Sequence, residues 1–417
     1  MDELEISRRV YGLLARVGGA PVPRMRAWTG EEWGPRHAPA TIALNRPGAL
    51  RSMLLPPNDL SAAEAYIYGD VDFEGDLYSL LRWGATLSEA RKGPVTIARL
   101  LSLLRRLPED VKRADAEQPR FRGMLHSKRR DRAAVTHHYD TGNEFFRLFL
   151  GKEMVYSSAA FLSPMDTLDE AQRRKLDLIC RKLRLAPGMR LLDVGCGWGA
   201  LVMHAVREYG VTATGLTLSA EQAAIARQRI DAEGFQGRAS IEVKDYRDIK
   251  ERYDAIASVG MVEHVGLKEL PRYFGILRKS LVPGGQLLNH GIVTRGRKRG
   301  RTKPTFVSTY VFPDSELTTI DEVISAAEDA GFELRDLESL RASYALTLQH
   351  WVSNLEKTRD AALAATSEQT YRIWRLYMAG SAVAFDRAAI SVSQLLLSDP
   401  ERPWTHGRSQ LLAGDDA

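Results

Sequence analysis

One stretch, residues 190–222, constrains the fold more than any other part of the chain. It reads RLLDVGCGWGALVMHAVREYGVTATGLTLSAEQ. A short apolar run (191–194) precedes three glycines at alternate positions, then an amphipathic stretch (200–209) and a second apolar run (211–216). This order predicts a right-handed β-α-β crossover. Glycines at its turn would let the backbone approach a ligand, and the helix start would offer free N–H groups.

The spacing of the glycines separates this turn from two other nucleotide-binding patterns. Gly195, Gly197 and Gly199 form G-x-G-x-G, whereas the dinucleotide pattern is G-x-G-x-x-G. No lysine follows the turn, which excludes a P-loop. Asp193 stands two residues before the first glycine, and together they give D-x-G-x-G-x-G. This cluster resembles the first motif of class I S-adenosylmethionine (SAM) methyltransferases, whose loop passes under the methionine part of SAM.

Polar residues follow each of the later predicted strands. They are Thr217 and Gln222 after the second strand, with Leu218 between them, Tyr246 and Arg247 after the third, Glu263 after the fourth, and His290 at the end of the fifth. No acid closes the second strand, where many class I methyltransferases hold the ribose. Because ligands of open parallel sheets bind at the carboxyl ends of the strands, we expect these side chains at one edge of the sheet.

Length and cysteine usage limit the class of protein. A chain of 417 residues suggests two or three domains. Two cysteines, Cys180 and Cys196, exclude a disulfide framework and a cysteine metal cluster, and no metal site is predicted. The N-terminus, MDELEISRRV, lacks an apolar signal core, and no apolar run approaches the roughly 20 residues that span a bilayer. We therefore expect a cytoplasmic protein.

Two basic runs stand out in a chain of net charge +5. One lies within residues 120–132 and the other covers residues 295–303. Such runs favour an anionic partner. Aromatic residues do not interleave with either run, so the stacking platform of a nucleic-acid binder is missing. We expect peripheral contact with an anionic membrane surface, on its inner face.

The remaining pattern predicts the domain organisation. Residues 1–118 alternate helical and short strand-like pieces, which indicates a small α+β domain. A basic linker (119–136), a catalytic domain (137–400) and a flexible tail (401–417) follow. Within the catalytic domain, edge strands are predicted near 306–312 and 332–340, and helix over 354–397.

Several motifs in unbroken order allow a family to be named. They read HYD with GN near residue 140, then LLDVGCGWG, GLTLSAEQ, DYRDI, VEHVG and TYVFPD. From about His137 to Phe385 the chain resembles the cyclopropane-fatty-acyl-phospholipid synthase family. Upstream, NDLSAAEAYIYGDVDFEGDL is similar to the N-terminal domain of its longer bacterial members. The resemblance covers most of the chain.

The resemblance implies a fold and a cofactor. The fold is α/β, a Rossmann-like class I methyltransferase core with a seven-stranded, mostly parallel sheet, a small N-terminal α+β domain and a helical C-terminal region. The activity is methyl transfer from SAM to a cis double bond of a phospholipid acyl chain. The implied cofactor contacts are Tyr156, Ser157, Gly195, Cys196, Gly197, Thr217, Leu218, Gln222, Tyr246 and Arg247, with Asp193 ordering the loop.

The family also holds a bicarbonate ion near the substrate. The matching positions are Glu263, His290, the backbone of Ile292, and Tyr310. Ser158 replaces the cysteine that usually stands in the family's Tyr-Ser/Thr-Cys-Ala motif. Its hydroxyl can still donate a hydrogen bond, so we expect the ion site to persist. The N-terminal domain is expected to contact lipid, membrane or a second copy, which leaves a homodimer open.

The chemistry explains why these groups are needed. Methyl transfer to an alkene leaves a carbocation, so water must be excluded and a base must remove a proton before the ring closes. Glu263, His290 and Tyr310 suit an ion that acts as this base. Phe145, Phe146 and Tyr310 are candidates to stabilise the cation through their faces. Phe145 and Phe146 are equally candidates to form plain core.

Alternatives remain at this point. The same cation can lose a proton elsewhere and give a methylene branch. A small-molecule methyltransferase would need neither the N-terminal domain nor the basic loops. A SAM-binding or lipid-binding protein without catalysis would have no use for an ion site. A nucleic-acid methyltransferase often has an Asn/Asp-Pro-Pro-aromatic motif after its fourth strand, where this chain has Met261–Val262–Glu263–His264.

Overall fold

Residue contacts divide the chain into two units, neither of which is continuous in sequence. The structure, a computed structural model, describes residues 1–91, 93–109, 126–139, 141–296 and 304–401. The first unit combines Met1–Pro119 with Arg301–Pro313 and Ala362–Val383, and the second holds Arg120–Gly300, Asp314–Ala361 and Ala384–Ala417. The predicted domain boundaries stay predictions. The predicted tail after residue 401 and the basic residues 297–303 lie outside the described residues.

Helices and strands alternate along most of the chain. The helices are α1 (Glu3–Gly18), α2 (Ala49–Leu54), α3 (Asp59–Ile67), α4 (Leu77–Glu89), α5 (Pro94–Leu104), α6 (Lys128–Tyr139), α7 (Asn143–Leu150), α8 (Leu168–Lys182), α9 (Ala200–Tyr209), α10 (Ala220–Ala232), α11 (Val262–Val265), α12 (Leu270–Lys279), α13 (Phe306–Tyr310), α14 (Ile320–Asp329), α15 (Arg341–Lys357), α16 (Arg359–Ala365) and α17 (Glu368–Asp386). The strands are β1 (Arg24–Arg26), β2 (Glu32–Trp33), β3 (Ala40–Leu44), β4 (Val71–Gly75), β5 (Arg190–Val194), β6 (Thr212–Thr217), β7 (Ala239–Val243), β8 (Tyr253–Val259), β9 (Leu281–Thr294), β10 (Glu333–Ser339) and β11 (Ile390–Ser398).

The first unit contains a four-stranded sheet with the order β2-β1-β3-β4. β1 and β3 are parallel, and the other two pairings are antiparallel. Helix α1 begins after Asp2, whose carboxylate accepts the Glu5 amide at 2.8 Å. It buries Ile6, Val10 and Leu14, one helical turn apart. The predicted small α+β domain is therefore confirmed.

Two later segments belong to this first unit. The amide of Phe306, at the start of α13, donates to the carboxylate of Asp59 at 3.0 Å. From α17, Arg372 donates to the carbonyl oxygen of Tyr66 at 2.8 Å and pairs with Asp72 at 2.7 Å. Phe306 and Arg372, both far later in the sequence, thus contact helix α3 and strand β4.

The edge strand predicted over 306–312 is wrong, because residues 306–310 form α13. Thr305 and Ser308 make a capping box there: the Thr305 hydroxyl accepts the Ser308 amide at 3.2 Å, and the Ser308 hydroxyl accepts the Thr305 amide at 2.9 Å. This reciprocal cap starts a helical turn in a segment whose aromatic and β-branched residues otherwise favour a strand.

The second unit contains a seven-stranded sheet with the order β10-β11-β9-β8-β5-β6-β7. Strands β9, β8, β5, β6 and β7 are parallel, and β11 runs antiparallel to both β9 and β10. The predicted crossover is confirmed as β5, α9 and β6, and the edge strand predicted near 332–340 is confirmed as β10. The mostly parallel α/β core is thus the one expected.

Apolar side chains cover both faces of this sheet. One core cluster includes Leu191, Leu288 and Leu396 with residues of α8, α9 and α10. The other includes Leu192 and Leu287 with residues of α12 and α14. Neighbouring residues of one strand thus enter opposite clusters, as the two-residue period of a strand requires. The core is a three-layer sandwich of helices, sheet and helices.

The helix predicted over 354–397 is right as far as residue 386 and wrong beyond it. Residues 390–398 form β11, which lies between β9 and β10 and is buried on both faces. An interior strand of this kind has a continuous apolar run, here Leu395 to Leu397, which periodicity cannot distinguish from a buried helix. None of the helices in the described ranges combines the length and the apolar composition that crossing a bilayer requires.

Candidate active site at the carboxyl edge of the parallel strands

The glycine turn after β5 is joined to the end of β6. The amides of Gly195 and Cys196 both donate to the carbonyl oxygen of Leu216, at 2.9 and 2.8 Å. Gly195 has a φ of +82°, and a Cβ there would lie 2.6 Å from the sulfur of Met261. Gly197, at +53°, has no atom within 4 Å of an added Cβ among the described residues. The turn therefore needs glycine for conformation at both positions and for space at the first.

A polar network occupies the end of β6, where the sequence lacks an acid. The Thr217 hydroxyl donates to Gln222 Oε1 at 2.9 Å and accepts the Ser219 amide at 3.1 Å. Because Oε1 is engaged, the amide nitrogen of Gln222 is the group left to donate to a ligand. That nitrogen is buried and has no hydrogen-bond partner within the described ranges. Leu218 lies between these residues and is half-buried.

The segment 156–158 is held by α8. Gln172 Nε2 donates to the carbonyl oxygen of Ser157 at 2.9 Å, and Lys175 Nζ donates to the Ser157 hydroxyl at 3.0 Å. The Ser158 hydroxyl donates to the carbonyl oxygen of Ala159 at 2.9 Å, and its side chain is fully buried. Its hydrogen is therefore engaged within the protein, which the sequence did not indicate.

Gln172 and Lys175 were missed by the sequence analysis. Both lie on the buried face of α8 with Leu176 and Ile179. The signal that would have found them is a pair of polar residues three positions apart inside an apolar helical stripe. Burial lowers the pKa of Lys175, against the attraction of the Asp193 carboxylate. Burial likewise raises the pKa of Asp193, against the attraction of Lys175.

The guanidinium of Arg247 is engaged in ion pairs and hydrogen bonds within the protein. It pairs with Asp245 at 2.6 Å and with Asp131 of α6 at 2.9 Å, and it donates to the carbonyl oxygen of His126 at 2.9 Å. Tyr246 is almost buried and meets Tyr273 edge-on at 5.2 Å between ring centroids. Arg247 therefore joins the end of β7 to α6. The Cys196 thiol of the glycine turn is also buried, which raises its pKa well above the ordinary value.

Glu263 and His290 lie at the same edge, after β8 and near the end of β9. Glu263 Oε1 accepts the Ile292 amide at 2.7 Å, and Oε2 is buried with no hydrogen-bond partner in the described part of the chain. Burial raises the pKa of Glu263 to about 7, although the Ile292 hydrogen bond acts in the opposite direction. A protonated and an ionised carboxyl are therefore both accessible near neutral pH.

His290 is held as a neutral ring. Burial, with the charges of Lys175 and Lys182, lowers its pKa to about 3. The amide nitrogen of Gln394 lies 3.2 Å from Nδ1, and with this amide donating to Nδ1 the ring hydrogen lies on Nε2. Nε2 is buried and has no partner among the residues that the structure describes. The ring thus offers one N–H donor for an anion.

The fourth residue of the predicted ion set lies in the other unit. Tyr310 belongs to the first unit, where its hydroxyl donates to Glu64 at 3.0 Å and lies 3.3 Å from the Tyr68 hydroxyl. In the second unit, α15 carries a buried tyrosine, Tyr344, that the sequence analysis did not consider. Its neighbour Ser343 accepts the Phe161 amide at 3.1 Å, so α15 packs against the chain just after Ser158.

The aromatic residues after the HYD motif pack as core. Phe145 and Phe146 are fully buried and meet edge-on at 6.2 Å between centroids. Phe146 also lies 5.3 Å from Trp198 of the glycine turn and 5.7 Å from Tyr156. The Trp198 indole N–H donates to Asn143 at 2.7 Å. Helix α7 thereby supports the turn and the Tyr156 segment together.

The described residues contain no group of histidine, cysteine and acidic side chains that could hold a metal ion. The donors at this edge instead suit an organic ligand and a small anion. An adenosyl ligand would find the Gln222 amide and a turn open at Gly197. An oxyanion would find the His290 N–H, and a bicarbonate hydrogen would find Glu263 Oε2.

Known proteins are similar to this chain over most of its length. A family model described as mycolic acid cyclopropane synthetase matches residues 126–395. A probable fatty acid methyltransferase of Pseudomonas putida is 39% identical over 92% of this chain and 94% of its own length. The cyclopropane-fatty-acyl-phospholipid synthase of Escherichia coli K12 is 35% identical over 66% of this chain and 70% of its own length.

A solved structure matches about two thirds of the chain. A mycolic acid cyclopropane synthase in complex with SAH and CTAB aligns with a TM-score of 0.61 and 35% identity. The alignment covers 64% of this chain and 98% of that one. The family resemblance inferred from the motifs is confirmed.

Proposed function

Because the chain belongs to the mycolic acid cyclopropane synthetase family and is a SAM-dependent methyltransferase, we propose that it converts a cis double bond of a phospholipid-bound acyl chain into a cyclopropane ring. One observation supports this proposal above all. Glu263 Oε2 and His290 Nε2 are two buried polar atoms without partners in the described residues, at the edge where a parallel sheet binds its ligands. A phospholipid substrate is supported by the Escherichia coli relative, which is a cyclopropane-fatty-acyl-phospholipid synthase.

When bound, SAM supplies an electrophilic methyl group and bicarbonate supplies the base that removes a proton. The chain's own residues position both. The Gln222 amide and the turn at Gly195 and Gly197 form the proposed cofactor cradle. The His290 N–H donates to the anion, and Glu263, fixed through Ile292, orients it. The Ile292 amide is engaged by Glu263, so its role in the proposed ion site is to fix that carboxylate.

Exclusion of water is the second requirement of a carbocation route. Phe145 and Phe146 contribute as buried aromatic side chains, and the Phe146 ring packs against that of Tyr156. Their role in the proposed mechanism is therefore support of the site walls.

The experiment is incubation of the full chain with SAM and vesicles of a cis-unsaturated phospholipid, followed by NMR of the acyl chains. High-field ring protons are the expected result. Glu263→Gln should abolish most turnover while SAH binding stays within about twofold. With its oxygen accepting the Ile292 amide, the glutamine presents an NH2 donor in the place of Oε2 and cannot accept the hydrogen of the ion. Absence of added carbon, with SAH still bound, would refute the lipid substrate.

A methylene-forming enzyme is the second candidate, and Ser158 is the observation that favours it. Its hydroxyl hydrogen is engaged by the Ala159 carbonyl and cannot also be donated to an anion. A weaker hold on the base would let the cation lose a different proton. Vinylidene protons in the same NMR spectra would identify this product, since a ring and a methylene branch have the same mass.

We also propose that the protein binds the inner face of an anionic membrane through its basic runs. Substitution of Arg297, Lys298 and Arg299 by glutamine should weaken sedimentation with anionic vesicles, and added salt should weaken it further. Binding that ignores both the substitutions and the salt would exclude this loop as a membrane contact. These three residues lie outside the described part of the chain.

A further inference from the structure

Helix α8 places the amine of a lysine inside the protein, in contact with the segment proposed to bind the cofactor. Lys175 is 2% exposed, and its Nζ donates to the Ser157 hydroxyl oxygen at 3.0 Å. Lysine is almost never fully buried unless it is paired. Among the described residues, however, Lys175 has no carboxylate within 4.0 Å. The burial of this charge therefore needs an explanation beyond packing.

The direction of the hydrogen bond has a consequence for Ser157. An ammonium group has donors only, so the serine oxygen accepts and the serine hydrogen must be donated elsewhere. Gln172 fixes the backbone of the same residue by donating to its carbonyl oxygen at 2.9 Å. Both the position of Ser157 and the donor role of its hydroxyl are therefore set by α8.

A second buried ionisable side chain precedes the glycine turn. Asp193, the penultimate residue of β5, is 2% exposed. Its carboxylate has no ion-pair partner within 4.0 Å in the part of the chain that the structure describes. Lys175 and Asp193 attract each other, but they remain separated. A buried amine and a buried carboxyl that do not pair with each other are complementary to the carboxylate and the ammonium of a zwitterion.

We propose that Lys175 is a positioning residue for the amino-acid end of SAM, holding Ser157 so that its hydroxyl donates to the cofactor carboxylate while Asp193 faces the cofactor ammonium. This inference rests on the proposed cofactor site. It concerns recognition of the methyl donor only and is independent of the lipid substrate. The chemical class recognised is an α-amino acid zwitterion.

The test compares two probes that differ in one group. SAM and decarboxylated SAM share the adenosine, the sulfonium and the ammonium, and only SAM has the carboxylate. Affinities of the full chain for both are measured by isothermal titration calorimetry without lipid. Lys175→Met should lower the affinity for SAM about tenfold or more, as expected for loss of a charge-assisted contact. It should lower the affinity for decarboxylated SAM about twofold at most.

Ser157→Ala is the second variant, because it removes one hydroxyl and leaves the buried ammonium in place. Like Lys175→Met, it should lose the preference for SAM over decarboxylated SAM. The double variant should be no worse than Lys175→Met alone, since both changes break one chain of contacts. Retention of the preference for SAM in Ser157→Ala would overturn the proposal, as would additive losses in the double variant.

Lys182→Met is the matched control. Lys182 lies on the same helix with a side chain that is 3% exposed, but it pairs with Asp336 at 3.2 Å and Glu338 at 2.5 Å. Its substitution should lower the melting temperature and leave the ratio of the two affinities unchanged. Equal weakening of both probes by Lys175→Met would show a merely structural lysine. The ratio of the affinities for SAM and decarboxylated SAM is measured without lipid. A protein that does not methylate lipid would therefore still test this inference, and the two proposals can be refuted independently.

Discussion

Replacement of Glu263 by glutamine should make the protein more stable at alkaline pH, in contrast to its expected effect on turnover. Glu263 is 7% exposed, and only one of its two oxygens has a partner among the described residues. Burial raises its pKa from 4.5 to about 7. In Glu263→Gln, the amide oxygen can still accept the Ile292 amide while no charge is buried.

The sign follows from proton uptake. Between pH 4.5 and pH 7 the folded state retains a proton on Glu263 that the unfolded state has released. Stability contributed by this proton is present below the unfolded pKa and is lost as the pH rises through the folded pKa. From pH 5 to pH 8 this loss amounts to about 2 to 3 kcal/mol of unfolding free energy. The variant does not titrate, so its stability relative to the wild type should rise by that amount.

The assay is urea unfolding of both proteins at pH 5 and pH 8, followed by tryptophan fluorescence. The control is Glu316→Gln, because Glu316 is exposed and also accepts a backbone amide, that of Leu267 at 3.1 Å. Its stability relative to the wild type should change little between the two pH values. A Glu263→Gln difference that is equal at both pH values would refute the buried, proton-binding carboxyl.

Two further pairs of substitutions test the cofactor cradle. Gln222→Leu should weaken the binding of SAH about tenfold, because the buried amide donor is lost. The control Gln228→Leu, on the exposed side of α10, should leave SAH binding unchanged. Equal calorimetric affinities of the two variants for SAH would contradict the role of Gln222. Gly195→Ala should lower the unfolding free energy by about 2 kcal/mol or more, because the positive φ and the 2.6 Å approach to Met261 both oppose a side chain. Gly197→Ala lacks that approach and should cost about 1 kcal/mol; identical thermal melts of the two alanine variants would argue against the packing of Met261 on the turn.

The sequence predicted the parts of this protein that depend on local pattern. The crossover from β5 to β6 follows from apolar runs and glycine spacing, and Glu263 and His290 follow from their positions after predicted strands. Because the carboxyl ends of parallel strands meet at one edge, strand order did not have to be known for these residues to be placed there.

The rest depended on contacts between distant segments. Lys175 reads as an ordinary charged position of an amphipathic helix, and only the packing of α8 against Ser157 shows that it is buried. Tyr310 lies in one of the family's motifs, TYVFPD. Its hydroxyl nevertheless donates a hydrogen bond to Glu64 of the first unit, 246 residues earlier in the chain. Strand β11 was read as helix because burial on both faces removes the alternation that identifies a strand.

The place of β11 in the sheet affects how this chain can be synthesised and shortened. The strand is formed by residues 390–398, yet it is an interior strand, hydrogen-bonded to β9 on one side and β10 on the other. The first unit likewise requires residues 362–383. Neither unit can therefore be completed before most of the chain has left the ribosome, so domain-by-domain folding during translation is not open to it. A nascent or truncated chain that ends before residue 390 would present the unpaired edges of β9 and β10 to other molecules, which makes aggregation the expected fate of such fragments.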